Sequence, residues 1–171
     1  AQDLEKGRSA VDDLNLGYRL NPWPSKVYYT RGLAHFHLGN HSQAIFYFDE
    51  AIHLDSGDAA AYKGRGKTYL QLGQNEHAIR DLDRAIALDP QDPEAFFVRA
   101  SAYSRLEQYQ SAVDDLKQAI QVNPFYSAAY ALRGDAHREL DHPRQAQADY
   151  AVAQRTAALS ERMQEIDRAG P

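Results

Sequence analysis

An all-α solenoid of antiparallel helix pairs is the fold this sequence predicts, on three observations. The chain repeats itself every 34 residues, each repeat holds two segments of helical periodicity, and turn residues stand at the joints between them. Counted from Ala59, position 4 of successive units is Tyr28, Tyr62, Phe96 and Tyr130, and position 8 is Gly32, Gly66, Ala100 and Gly134. In the second segment, position 20 is Ala44, Ala78, Ala112 and Ala146, position 24 is Phe48, Leu82, Leu116 and Tyr150, and position 27 is Ala51, Ala85, Ala119 and Ala153. Large and small residues thus alternate on one face of each helix, and no insertion breaks the register across residues 25–160.

At these columns the sequence resembles the tetratricopeptide repeat family, whose pattern places small residues at 8, 20 and 27, aromatics at 4, 11 and 24, and proline at 32. The resemblance covers residues 25–160 as four units and implies a right-handed superhelical array. The departures are Arg31, Arg65, Arg99 and Arg133 at position 7, where the family prefers leucine, His35 and His137 at position 11, and Ser56 and Ala158 at position 32. They leave the fold unchanged and alter the packing.

Taken in order, residues 1–24 read as an incomplete unit, a helix over residues 3–20 whose Ala10, Leu14 and Gly17 fall at positions 20, 24 and 27. One apolar flank of it would be exposed or covered by another chain, which makes self-association through this N-terminal edge the alternative to a role as an adaptor. Residues 25–58 begin with Ser25 as a helix cap, turn at Gly39 and Asn40, and leave through Asp55, Ser56 and Gly57. Residues 59–92 and 93–126 reuse the plan with Gly73 and Glu107 at the turn, while Pro90 and Pro124 force the residue before them out of helical angles. In the last unit, residues 127–160, Gln147, Gln154, Thr156 and Ala158 replace the apolar and proline positions of the others, which reads as a terminal cap. With no proline stop, one helix is expected over residues 143–167, with Leu159, Met163 and Ile166 folded back over the end of the core and residues 161–171 forming the helix extension and tail. The whole, residues 1–171, is one domain of nine helices. The C-terminus reads as a domain end, and the start at Ala1, without methionine or signal-like segment, reads as a processed or excised product.

Composition narrows the function. A formal net charge of −5 gives no support to nucleic-acid binding, no apolar run is long enough for membrane insertion, and zero cysteines exclude disulfides and thiolate metal sites. A soluble protein of cytoplasm or periplasm fits equally. The closest metal-like spacing, His37 to His41, spans the Gly39 turn, and the carboxylate pairs Asp49-Glu50 and Asp114-Asp115 suit a solvated helix face. No glycine-rich phosphate loop follows a strand. No catalytic residue, cofactor or metal is therefore expected.

Two groups of residues remain. The arginine column faces an acidic one at position 23, Asp13, Asp81, Asp115 and Asp149, interrupted by Tyr47. Opposite charges on facing helices suggest a ladder of bidentate ion pairs, with the arginine stems on apolar surface. The resemblance places a ligand groove on the first helices at positions 2, 5, 6, 9, 12 and 13. These hold Lys26, Tyr29, Leu33 and Phe36, then Lys63 and Lys67, then Phe97, Ser101 and Arg105, and finally Asp135 and Arg138. Counted with their neighbours Glu94 and Glu139, they carry an excess of two positive charges, suited to a protein or peptide partner with an acidic segment. The family's two-carboxylate clamp for chaperone tails is not preserved: read from Lys63, its other places hold Lys67, Val98, Ala128 and Leu132. A non-enzymatic adaptor or assembly scaffold is the function expected, with a self-associating structural module or a regulatory domain of a larger protein as the alternatives.

Overall fold

A computed structural model describes residues 24–169, with side-chain surroundings up to residue 163. Eight helices follow one another: α1 Pro24–His37, α2 His41–Leu54, α3 Ala59–Gln71, α4 Asn75–Leu88, α5 Pro93–Arg105, α6 Tyr109–Val122, α7 Ser127–Glu139 and α8 Pro143–Ala169. They form four antiparallel pairs stacked as an all-α solenoid. The helix expected over residues 3–20, with Asp13 and the N-terminal edge, lies outside the described residues.

The turn inside each pair has one chemistry. Gly39, Gly73, Glu107 and Asp141 all sit at positive φ, between 57° and 75°. The N–H of the next residue reaches back five places: Asn40 to His35 O, Gln74 to Tyr69 O, Gln108 to Tyr103 O and His142 to His137 O. This is the Schellman arrangement, which satisfies the last carbonyls of the first helix while reversing the chain. Between pairs the aspartates act: Asp55 and Asp89 accept the N–H two residues on, and Asp58 and Asp92 cap α3 and α5.

Each second helix packs on the first helix of the next pair. Neighbouring first helices also touch, α1 with α3, α3 with α5 and α5 with α7, whereas neighbouring second helices do not. The first helices therefore form the inner, tighter row, and the second helices splay on the outer side. The core is a strip between the rows: Ala44, Phe48 and Ala51, then Ala78, Leu82 and Ala85, then Ala112, Leu116 and Ala119. Phe48 fits because its neighbours have no side chain. A Cβ on Gly32 would stand 2.7 Å, and one on Gly64 2.6 Å, from its ring.

Three sequence expectations change. Ser25 is not the cap: α1 starts at Pro24, whose missing N–H costs nothing in a first turn, and Ser25 is a buried second residue. Leu159 and Met163 do not fold back, because α8 continues as a single helix past the end of α7 and leaves them 50% and 67% exposed. Thr156, expected on a polar flank, is buried, and its hydroxyl bonds the carbonyls of Val152 and Ala153.

Candidate protein-binding groove

The arginine column lies between consecutive pairs, each guanidinium on the aromatic one turn before it. Arg65 is 5.7 Å from the Tyr62 ring centroid, Arg99 5.8 Å from Phe96 and Arg133 5.4 Å from Tyr130. Arg65 Nη2 and Nε reach the two oxygens of Asp81 at 2.6 and 2.7 Å, and Nη1 reaches Asp49 of the preceding pair. Arg99 repeats this with Asp115 at 2.6 and 2.8 Å and with Asp83 at 2.7 Å. Arg133 holds Asp149 at 2.6 and 2.9 Å. Asp49 and Asp83 were missed by reading one acidic column, although they stand 16 residues before their arginine as Asp81 and Asp115 stand 16 after. At the same offset Arg133 meets Lys117, which turns to Asp114 at 3.0 Å instead. Burial pushes the Asp115 carboxyl up while its bonds hold Arg99 charged. The permanently charged guanidinium in bidentate contact decides, and the pair is ionised at neutral pH. Arg31, whose place opposite is Tyr47, lies 5.8 Å from the Tyr28 ring and 5.9 Å from that of Tyr47.

On the inner row, a cleft of about 320 Å³ opens between α3 and α5. Its apolar wall is Leu70, Phe97 and Val98, and Lys67, Gln71, Glu94, Ser101 and Arg105 surround them. Tyr126, just before α7, closes one side with its ring 5.1 Å from that of Phe97. Burial pushes the Tyr126 phenol up to about 12, helped by Glu94 and Asp92, so it stays protonated. Arg105 Nη1 donates to the Leu70 carbonyl, which fixes its guanidinium at the rim. The Ser101 hydroxyl is turned to the Phe97 carbonyl at 2.9 Å.

Four of the sequence-selected residues, Lys67, Phe97, Ser101 and Arg105, meet in this cleft. Leu33 and Phe36 line a small neighbouring cavity of about 30 Å³ that shares Lys67, whose ammonium is 5.8 Å from the Phe36 ring. Tyr29 packs 6.0 Å from Phe48, and Lys63 is engaged with Asp92 and Glu94. Lys26 is apart, beside the loop aspartates Asp55 and Asp58. Asp135 and Arg138 form a separate cluster, 3.3 Å from each other and both bonded to the Tyr150 hydroxyl. Tyr126 was missed because it lies in the connection before α7, outside the helical columns that were searched.

Two tetratricopeptide repeat family models match the chain, one over residues 67–153 and one over residues 29–93. The chain belongs to the tetratricopeptide repeat family. Its fold is similar to solved structures of MamA, at 20% identity over 94% of this chain and 95% of that one with a TM-score of 0.81. For MamA of Desulfovibrio magneticus RS-1 the values are 21%, 92% and 90%, with a TM-score of 0.78. The first tetratricopeptide repeat domain of Spaghetti, solved with the HSP90 peptide SRMEEVD, matches at 20% identity over 68% of this chain and 93% of that one, with a TM-score of 0.68. No curated protein matches the chain by sequence. Among the described residues no group of three or more His, Asp or Glu side chains is placed to hold a metal ion, and no helix is long and apolar enough to cross a membrane.

Proposed function

We propose that this chain is an interaction scaffold that takes up an extended or helical segment of another protein along its inner row of helices. The observation that carries the reading is the cleft between α3 and α5. Its buried Leu70 and Val98 and half-buried Phe97 form an apolar seat inside a polar rim, the anatomy of an interface anchor. On the arginine ladder the guanidinium donors of Arg65 and Arg99 are taken up by Asp81, Asp49, Asp115 and Asp83, which supports a structural role for that column. The pull on an acidic partner segment comes from Arg105 at the cleft rim, since Lys26 lies among the loop aspartates away from it. It is smaller than the count of groove charges suggested, since Lys63 and Lys67 are paired within the chain.

Selection of peptides from a random library on the immobilised protein tests this. A selected peptide should lose roughly tenfold or more in affinity on Phe97→Ala, chiefly through faster dissociation, because the change removes contact area without altering charge. The outer-face change Gln118→Ala should leave it unaltered. Loss with Gln118→Ala and none with Phe97→Ala, both variants remaining helical, would refute the reading.

A further inference from the structure

Lys67 in the cleft wall and Lys63 one turn before it are both bonded to a carboxylate of this same chain. Lys63 and Lys67 stand one helical turn apart, and their ammonium groups converge on Glu94 at the start of α5. Lys67 Nζ is 2.6 Å from Glu94 Oε1, and Lys63 Nζ is 2.8 Å from Oε2. Lys63 also reaches Asp92 Oδ2 at 2.7 Å, so two cations meet two anions and the cluster is formally neutral. Capping does not explain Glu94, since the end of α5 is already served by Asp92, which accepts the Glu94 N–H. Burial works to raise the Glu94 carboxyl, but the two hydrogen-bonded ammonium groups outweigh it and hold it below the usual carboxylate range. Glu94 is nevertheless in the cleft wall, beside Phe97 and Val98.

We propose that Glu94 is a specificity-determining residue of the groove: its carboxylate fills the two-lysine site in place of a partner's, so the cleft admits neutral and apolar segments and turns away a carboxylate at that point. An incoming acidic side chain must displace Glu94 from two charge-assisted hydrogen bonds, or lie beside it as a like charge, and either route is a repulsive element acting against one class of ligand. Phe97, Leu70 and Val98 discriminate nothing by charge and remain open to an apolar anchor. Replacing the carboxylate by an amide leaves Lys63 with Asp92 but leaves Lys67 without an anion, and the cluster gains one positive charge facing the cleft.

This inference rests on the groove being the binding face, and its test is made with synthetic peptides so that the two can fail separately. The probes are fluorescein-labelled SRMEEVD and its carboxylate-free counterpart SRMQQVN with an amidated C-terminus, titrated by anisotropy against the wild type, Glu94→Gln and Glu94→Gln with Lys67→Ala. Glu94→Gln should bind the acidic peptide at least about tenfold tighter than the wild type does, leave the carboxylate-free one no tighter, and lose the gain when Lys67 is removed. Equal binding of the acidic peptide by the wild type and by a helical Glu94→Gln, whether tight or undetectable, would overturn the proposal. A gain that survives removal of Lys67 would overturn it too. If library-selected peptides ignore Phe97→Ala, the groove reading falls, whatever the charge comparison gives.

Discussion

Gly64→Ala separates packing from helix propensity, because the two predict opposite signs. In an exposed helix interior the change stabilises by about 0.5–1 kcal/mol. Here the new Cβ would lie 2.6 Å from two ring atoms of Phe48, a fully buried side chain whose other flank is closed by Gly32 at a similar distance. The ring cannot retreat toward Gly32 without tightening the second contact, so the seam between the first two pairs must open. Overpacking of this kind costs about 1–3 kcal/mol, which leaves a net loss of up to about 2.5 kcal/mol after the propensity gain. With a urea m-value of about 2 kcal/mol/M, the midpoint followed by circular dichroism should fall by up to about 1.2 M. Phe48→Leu should reverse the sign, since Leu82 and Leu116 at this column are followed in the next unit by the larger Val98 and Leu132 where Phe48 is followed by Gly64. In the Phe48→Leu background Gly64→Ala should be neutral or stabilising, a coupling of about 1 kcal/mol or more. A midpoint that rises on Gly64→Ala alone, or a cost unchanged in the Phe48→Leu background, would refute this account of the seam.

Other outcomes follow from the same contacts. Arg99→Ala should cost about 2–4 kcal/mol, because it strands Asp115, whose side chain is 9% exposed, whereas Asp83→Ala at the exposed end should cost under about 1 kcal/mol. Denaturant midpoints compare them. Ala112→Leu should cost about 1–3 kcal/mol where a fully buried alanine lies in the packed core, against almost nothing for the exposed control Gln110→Leu. Burial holds the His137 imidazole below its usual value, with Asp149 opposing and Arg133, His142 and Lys117 adding to the depression. The unfolded chain therefore takes up the proton first, so this contribution is whole above pH about 6.5 and is lost as pH falls below it. His137→Tyr, which copies Tyr69 and Tyr103 at the same column, should flatten thermal stability between about pH 7 and pH 5.

The fold was legible because each repeat states it again: four alanines at position 20 and four turn residues at one offset leave little choice of helix pairing. Glu107 and Asp141 show the limit of residue-type reasoning, since both adopt the left-handed turn that Gly39 and Gly73 adopt without strain. At the C-terminus, the absence of proline correctly extends α8. The direction of Leu159 and Met163 could not be read, because a continuous helix carries them past the layer they would have covered. In the groove, Phe97 and Arg105 were found from columns, but the neutralisation of Lys63 and Lys67 was not. A charge count adds residues without pairing them, and Glu94 lies 31 and 27 residues from its partners, beyond any periodicity within one helix.

The central claim is that the inner row of helices, and not the outer one, is the working face. Amide chemical-shift perturbation of the 171-residue protein on titration with a library-selected peptide tests it most directly. The account predicts shifts concentrated at Lys67, Leu70, Gln71, Phe97, Ser101, Arg105 and Tyr126, around the cleft between α3 and α5. Shifts concentrated on the outer helices α4 and α6, with these residues unmoved, would contradict it.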